Sequence, residues 1–391
     1  MNEESHFTAE QLEKNSKNKE NLIKLIASCN ATLMAGAGTS ASIYPDWLGF
    51  ANKMCAAAKG INPDFDDNMD DYPQFFNRVK DCIGEPHYHH LIHEEFKPRP
   101  IEHKPFHEIL CRLPFKGFTT TNYDVVLESA MMKVTQKNSD SMYLDGQINK
   151  TVHEFFQSLL TQARYPKRVF HLHGKYDVTQ SIILCEREYT GKYGFKPKKP
   201  VGDLYDEVIN KNISREQFEQ LLYEYGYEWP IRRKIIWSLL ATQRLVFIGF
   251  SMSDPYFLKM FEFVSDDIYP YGSDTHYLVL RIPAGDATDH FKRAEWFKYQ
   301  YGIETVFFVE NDDNSGLELF ITELGEKILP KPSLEDTEDM ASKNNGVALQ
   351  KTAIHIEKVA VKYEMHAEEK GDEAVTEKLL AISNKQIDDE N

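Results

Sequence analysis

The sequence has few cysteines and no long apolar run, and both scarcities exclude classes of protein. Its five cysteines are odd in number, widely spread and never arranged as a C-x-x-C pair, so a disulfide framework is not expected. No apolar run approaches the ~18 residues that a membrane-spanning helix needs, and the first thirty residues are charged and polar. We therefore expect a soluble, cytoplasmic protein with reduced thiols, without a signal peptide and without a membrane partner.

Basic side chains are also fewer than acidic ones. The 391 residues include 61 acidic and 45 basic side chains, for a formal net charge of -16. Such a surface disfavours a broad electrostatic footprint on nucleic acid, so a nucleic-acid role would have to come through a partner. The length suffices for a large core without disulfide or metal staples.

Apolar segments typical of buried strands alternate with helical patterns along the chain. A parallel sheet covered on both faces has such continuous apolar strands. The sequence therefore predicts a Rossmann-like α/β fold with a mostly parallel sheet. The run Ile182-Ile183-Leu184 fits a further short strand. The predicted main strands lie near residues 32–35, 116–120, 168–174, 244–248, 277–280 and 305–309.

Capping signals mark where several helices begin. Thr8 and Gln11 form a possible cap pair, and Asp46 after Pro45 is placed to cap the next helix. Asp254 followed by Pro255 has the order of an N-cap and a first helical residue.

Polar residues follow four of the predicted strands. The first such segment, Ala35 to Ser40, is a turn of small residues whose backbone can approach a ligand and direct N–H groups at phosphate oxygens. The others are 121–124, 171–174 and 249–254. Ligands bind beyond the carboxyl ends of parallel strands, so the four segments are expected to form one site. Taken alone, a G-x-G turn is a weak signal, and it fits a simple strand end better than a phosphate site.

We expect a compact part at residues 1–330, with helical insertions at about 60–112 and 186–242. The tail, 331–391, is rich in charge and has one aromatic residue, so it cannot build its own core. Its apolar residues step by three and four, which fits a helix that packs on a neighbour or forms a coiled coil, and equally a solvated helix or disorder. An oligomerisation or partner-binding role follows from the first alternative.

The four segments, taken in order, resemble the sirtuin-like proteins. The resemblance lies in Gly36-Ala37-Gly38-Thr39-Ser40 with Pro45 and Trp47, Thr121-Asn122-Tyr123-Asp124, Leu172-His173-Gly174, and Gly249-Phe250-Ser251 with Asp254-Pro255. It implies that residues 1–330 form a sirtuin-like domain with NAD as substrate. The residues implied to bind NAD are Ala35, Gly36, Ala37, Gly38, Thr39, Ser40, Pro45, Trp47, Thr121, Gly249, Phe250, Ser251 and Asp254.

The resemblance also implies three catalytic residues. Asn122 would position water or a ribose hydroxyl, Asp124 would hold the carboxamide, and His173, expected to titrate near neutrality, would act as the base. Each has a structural alternative. Asn122 fits a turn, Asp124 and Asp254 fit helix caps, and Trp47 fits packing. His173 fits a buried core histidine, with His171 as its competitor for the catalytic role.

The sequence departs from the deacylase branch of the family, whose members share a zinc module with two C-x-x-C pairs. Nothing here supplies that module, so no zinc is expected, and the run of histidines at 87–93 lacks an H-E-x-x-H pattern. The sequence resembles the prokaryotic antiphage sirtuin-like NAD hydrolases instead. That implies an NADase releasing nicotinamide and ADP-ribose, a homo-oligomer, and a controlling partner such as an ATPase or a short Argonaute. A non-catalytic NAD or ADP-ribose sensor is the alternative, and a protein deacylase or ADP-ribosyltransferase is a weaker one.

Overall fold

The described part of the chain is discontinuous, and the limits of the predicted domains stay predictions. The predicted tail, 331–391, and most of the predicted insertion at 186–242 lie outside the described residues. The computed structural model describes residues 7–136, 141–143, 149–160, 168–194, 214, 217, 230–252, 254–267, 276–282, 287–310 and 315–330.

Seven strands in these ranges form one sheet, in which every neighbouring pair is parallel. Their order is β3-β4-β2-β1-β5-β6-β7. Apart from the edge strand β3, this is the doubly wound order, and its direction reverses between the adjacent strands β1 and β5. The predicted Rossmann-like α/β fold is confirmed. The strands are β1 (Ala31–Ala35), β2 (Gly117–Thr120), β3 (Ser141–Tyr143), β4 (Val169–His171), β5 (Arg244–Ile248), β6 (His276–Ile282) and β7 (Ile303–Val309).

Helices cover both faces of the sheet because alternate strand residues point to opposite sides. Phe247 of β5 enters one core, whereas its neighbours Val246 and Ile248 enter the other. The core around Phe247 contains residues of α7 (Asn149–Leu160), α8 (Glu186–Tyr193), α9 (Ile231–Thr242), α10 (Pro255–Asp267) and α11 (Thr288–Tyr301). The opposite core contains residues of α1 (Ala9–Ala27), α5 (Pro105–Arg112), α6 (Val126–Thr135) and α12 (Gly316–Ile328).

A third core belongs to α2 (Trp47–Ile61), α3 (Tyr72–Ile83) and α4 (Glu85–Phe96). It also includes Tyr123 and Leu184, which lie in segments that follow β2 and β4. These helices therefore lie beside the carboxyl edge of the sheet, where the polar segments begin. The fold thus gives that edge a helical wall.

The predicted caps are confirmed. Thr8 Oγ1 accepts a hydrogen bond from the Gln11 N–H and Gln11 Oε1 accepts one from the Thr8 N–H, which is a complete capping box at the start of α1. The Asp46 carboxylate accepts from the Gly49 N–H at 2.7 Å and caps α2.

Two details of the strand prediction are wrong. The run Ile182–Leu184 is buried but forms no strand; its Ile183 N–H donates to the carbonyl of His173. The three-residue strand β3 had no sequence signal, since it is too short for a period-two pattern to be read. In the part of the chain that the structure describes, no helix combines the length and the apolar composition needed to cross a membrane.

Candidate functional site

The glycine turn after β1 packs backbone to backbone against the loop after β5. The Gly36 N–H donates to the Ile248 carbonyl at 3.0 Å, and the Gly38 N–H donates to the Gly249 carbonyl at 2.8 Å. A Cβ at Gly36 would lie 2.5 Å from the Gly249 oxygen, and one at Gly249 would lie 2.4 Å from the Thr39 nitrogen. The glycines are therefore required by the contact between two loops at the switch point, whereas the sequence argument attributed them to the approach of a ligand.

Most N–H groups of this turn are engaged within the protein. The Thr39 and Ser40 N–H groups donate back to Gly36 and Ala37, each at 3.0 Å, in a short 3-10 turn. Together with the bonds from Gly36 and Gly38, this accounts for four of the five N–H groups between 36 and 40. Within the described ranges the Ala37 N–H has no backbone acceptor. It is the backbone donor that this turn has left for a ligand.

His107 holds the turn from behind. Its Nδ1 accepts from the Lys104 N–H at 2.9 Å, so its Nε2 carries the proton and donates to the Thr39 carbonyl at 2.7 Å. Burial lowers the pKa of His107 to about 4, which keeps the ring neutral in this tautomer. The role of His107 was not predicted from the sequence. It lies three positions after the cap of a short helix, and no local pattern indicates a contact with a turn 68 residues away.

Asn122 joins the segment after β2 to the glycine turn. Its Nδ2 donates to the Gly36 carbonyl at 3.1 Å and to Ser40 Oγ at 3.2 Å, and its own N–H donates to Thr120 Oγ1 at 3.0 Å. A carbonyl only accepts, so the contact with Gly36 fixes which end of the amide is nitrogen. The remaining acceptor, Oδ1, is then the group that Asn122 can offer to a bound molecule.

Asp124 lies beside Asn122 and is almost fully buried. Its Oδ1 accepts from Ser40 Oγ and from the Val126 N–H, both at 3.1 Å, at the beginning of α6. Burial raises the pKa of this carboxyl to about 6. The carboxylate stabilises the start of α6 and also contacts Ser40 of the predicted site, and its catalytic role stays a prediction.

His173 is also buried, between the rings of Tyr189 and Tyr193, whose centroids lie 5.4 and 6.1 Å from its own. Its Nε2 is buried without a hydrogen-bond partner among the described residues, 4.0 Å from Asp254 Oδ2. Burial, with the nearby cations Arg232 and Lys192, lowers the pKa of His173 to about 3. The expectation that His173 titrates near neutrality is wrong, because the imidazole lacks the solvent or the carboxylate contact that would favour its charged form.

Arg232 supports the loop that carries His173. Its guanidinium donates to the carbonyls of Leu172 and Ser181 and is 4% exposed. The contact of Arg232 with this loop was not predicted from the sequence, because the stretch at the start of α9 indicated only a helix. An arginine is usually solvent-exposed, so the burial of Arg232 could not be predicted from the sequence.

Asp254 caps α10 as the sequence predicted. Its Oδ1 accepts from the N–H groups of Tyr256 and Phe257 at 2.9 and 3.0 Å. Its Oδ2 accepts from the Tyr189 hydroxyl at 2.8 Å, which connects the loop after β5 to the aromatic residues around His173.

A cleft of about 1140 Å³ runs along this edge, and a small pocket of about 40 Å³ adjoins it. Two predicted residues line neither: Ala35 lies inside β1, and the Thr39 hydroxyl donates to the Gly36 carbonyl at 2.7 Å. The small pocket adds Ser40, Asn122 and Asp124. Eleven predicted residues line the cleft: Gly36, Ala37, Gly38, Pro45, Trp47, Thr121, His173, Gly249, Phe250, Ser251 and Asp254.

The residues that were weighed as metal ligands do not converge. His89 lies 3.4 Å from Glu85 within α4, and the described residues contain no group of three or more histidines, cysteines or acidic residues that could hold a metal ion. The expected absence of zinc stays a prediction.

Comparisons with known proteins agree with this geometry. The family model for the SIR2-like domain matches residues 116–306, which include the segments after β2, β4 and β5. The chain is also similar to the NAD(+) hydrolase ThsA of Bacillus cereus (strain MSX-D12), with 25% identity over 186 residues. That match covers 47% of this chain and 36% of ThsA, so the chain spans little more than a third of the length of this relative. The resemblance to sirtuin-like proteins is thus supported over residues 116–306, which match a SIR2-like domain.

Proposed function

We propose that this protein hydrolyses NAD at the bond between nicotinamide and ribose, releasing nicotinamide and ADP-ribose. The observation that carries the proposal is the contact of Asn122 with Gly36 and Ser40 at the switch point of a doubly wound sheet. It brings two remote segments to the crevice where such sheets bind nucleotides. The SIR2-like domain and the similarity to an NAD(+) hydrolase support the choice of substrate.

The cleft suits a dinucleotide in size and in lining. At about 1140 Å³ it exceeds the volume of a typical small-molecule site, and it extends from Trp47 and Tyr72 to Ser251 and Arg293. We assign the diphosphate to the Ala37 N–H, and the adenosine half to the side of Gly249 and Ser251. The nicotinamide half then belongs beside Asn122, Asp124 and Thr121, where the small pocket opens.

Cleavage of the bond between nicotinamide and ribose depends more on the fixed positions of the reacting groups than on strong acid catalysis. Nicotinamide leaves as a neutral molecule, and the ribose carbon becomes positively charged in an oxocarbenium-like state. Asn122 Oδ1 accepts a hydrogen bond from the attacking water or a ribose hydroxyl and fixes its position. The Asp124 carboxylate, charged above about pH 6, stabilises the developing positive charge.

The buried Nε2 of His173 can form a hydrogen bond with a ribose hydroxyl or with a water molecule. His173 lines the cleft, and its Nε2 is buried without a hydrogen-bond partner among the described residues. An unpaired buried nitrogen costs free energy until a hydrogen bond forms. The neutral ring holds the ribose hydroxyl or the water in place. Water adds to the ribose carbon, nicotinamide departs with the bonding electron pair, and the proton of the water passes to solvent.

The test is the release of free nicotinamide from NAD by the purified protein. Asn122→Ala and His173→Ala are each expected to lower turnover by at least about 100-fold. Both variants also lose packing or hydrogen bonds, so turnover is measured well below the melting temperature of each. Asn30→Ala and His90→Ala are the control variants, because both residues line neither the cleft nor the small pocket and both are at least partly exposed. Full turnover in both site variants would refute the assignment.

Calorimetric titration with NAD separates the alternatives. Binding without any nicotinamide release from the unmodified protein would indicate a sensor. Turnover that requires an acylated peptide or labels a protein would indicate deacylation or ADP-ribosyl transfer.

We further propose that NAD depletion serves antiphage defence, in the cytoplasm, by a homo-oligomer under the control of a partner such as an ATPase or a short Argonaute. The resemblance to antiphage sirtuin-like hydrolases motivates this part. Cellular NAD should fall during phage infection in cells with the unmodified protein and stay constant with Asn122→Ala. Solution mass, measured with and without residues 331–391, tests assembly through the tail.

A further inference from the structure

A buried histidine and glutamate lie directly behind Asn122. His171 Nδ1 is 2.9 Å from the Asn122 carbonyl oxygen, and its Nε2 is 2.6 Å from Glu128 Oε1. The side chains of His171 and Glu128 are 0% and 6% exposed. His171 ends β4 in register with Thr120 of β2, and Glu128 lies in the first turn of α6, so three elements meet at this ring.

The two contacts determine the protons on the ring. A carbonyl oxygen only accepts, so Nδ1 carries a proton, and Nε2 faces a carboxylate oxygen at the short distance of a charge-assisted hydrogen bond. Burial alone would lower the pKa of His171, but the Glu128 carboxylate raises it above its ordinary value. Both ring nitrogens therefore donate within the protein.

These bonds exclude His171 as the base that competes with His173. Neither nitrogen has a free electron pair to accept a proton, and His171 does not line the cleft or the small pocket. His171 contacts the site through Asn122, and its charge also acts on Asp124.

We infer that His171 and Glu128 are a positioning pair, in which the ring fixes the Asn122 carbonyl so that the Asn122 amide meets the glycine turn and the bound substrate. The inference rests on the proposed function and extends it. Asn122 is then held at three points: its N–H on Thr120, its carbonyl on His171, and its side-chain nitrogen on Gly36. Losing the middle point allows the peptide to rotate, and a displacement near 1 Å at a reacting group costs roughly 100-fold in rate.

Two substitutions separate the bonds of the ring. The amide nitrogen of His171→Asn occupies the place of Nδ1 and keeps the donor to Asn122, but loses the bond to Glu128. The amide nitrogen of His171→Gln occupies the place of Nε2 and keeps the bond to Glu128, but loses the donor to Asn122. The Gln variant, which keeps the carboxylate paired, is therefore expected to be the more stable and the less active of the two.

The experiment measures kcat, KM and melting temperature for both variants, with hydrogen exchange of the peptide that spans 121–124. We expect kcat to fall by at least about tenfold in His171→Gln and by less than about threefold in His171→Asn, with KM within about threefold of the unmodified value in both. Exchange at 122–124 should accelerate in the Gln variant alone. A merely structural role predicts the opposite, since activity would then follow stability.

The outcomes distinguish the inference from the proposed function. If the unmodified protein releases no nicotinamide, the proposed function fails, and hydrogen exchange still decides whether the ring fixes the Asn122 peptide. If the unmodified protein is active but kcat and exchange are equal in the two variants, or follow melting temperature, the positioning pair is refuted while NAD hydrolysis stands.

Discussion

Replacing Asp124 by asparagine should stabilise the protein at neutral pH while it removes activity. The substitution keeps the shape of the side chain and an oxygen that can accept from Ser40 Oγ and the Val126 N–H, the two bonds that Asp124 Oδ1 makes. It deletes a charge that is buried and 5% exposed. Since burial raises the pKa of this carboxyl from the ordinary value of 3.8 to about 6, the folded protein holds the charged form at a cost.

The sign and size of the effect follow from proton linkage. Between pH 3.8 and about pH 6 the folded state binds more protons at Asp124 than the unfolded state, so the stability of the unmodified protein falls as pH rises through this window. Above both pKa values the cost levels off at about 3 kcal/mol, from roughly two pKa units at about 1.4 kcal/mol each. About 1.4 kcal/mol of this cost develops between pH 5 and pH 8.

Urea denaturation of both proteins at pH 5 and pH 8 measures this cost. The free energy of unfolding of Asp124→Asn, relative to the unmodified protein, should rise by about 1.4 kcal/mol from the lower to the higher pH. Under the proposed function, nicotinamide release by the unmodified protein should increase with pH through about 6, and Asp124→Asn should lack both the increase and most of the turnover. A stability difference that is independent of pH, or one that shrinks as pH rises, would refute the argument from burial.

Two further changes test the loop contact and the capping box. Gly249 has a left-handed backbone, and the Cβ of Gly249→Ala would lie 2.4 Å from the Thr39 nitrogen. This variant should lose at least about 2 kcal/mol of stability in thermal unfolding and should bind NAD less well. The control Gly60→Ala, in open space within α2, should be neutral or slightly stabilising. Thr8→Ala removes the hydroxyl that caps α1 and should cost about 1 kcal/mol in urea denaturation with turnover unchanged; an unchanged denaturation midpoint would contradict the capping role.

The order and type of the main elements could be predicted from the sequence because the strands β1, β2, β4, β5, β6 and β7 are largely buried on both faces. A continuous apolar run such as Leu245 to Ile248 is typical of a buried strand. The polar residues that follow it indicate the carboxyl end of the strand. The caps at Thr8, Asp46 and Asp254 depend on neighbours within three residues, so they too could be predicted locally. The strand prediction for Ile182–Leu184 was wrong because a short buried run has the same composition whether or not it pairs with a neighbouring strand.

The supporting residues of the site could not be predicted, because their partners are remote in the sequence. His107 reaches Thr39, Glu128 reaches His171, and Arg232 reaches Leu172, at separations of 68, 43 and 60 residues. Nothing in the local pattern of a helix indicates that one of its polar side chains will bond a distant carbonyl. The fold must be known first.

The same limit explains why the expected protonation states were wrong for His173. From the sequence alone a histidine is assigned a pKa near its ordinary value, whereas the structure surrounds His173 with tyrosine rings and brings Arg232 and Lys192 near it. Both effects disfavour the imidazolium, and the nearest carboxylate oxygen, on Asp254, is 4.0 Å away and already accepts from Tyr189. Asp124, whose pKa burial raises to about 6, is the carboxyl of the predicted site that changes charge near neutrality. A pH dependence near pH 6 in this site should consequently disappear in Asp124→Asn and persist when His173 is replaced by glutamine, to the extent that the glutamine variant retains turnover.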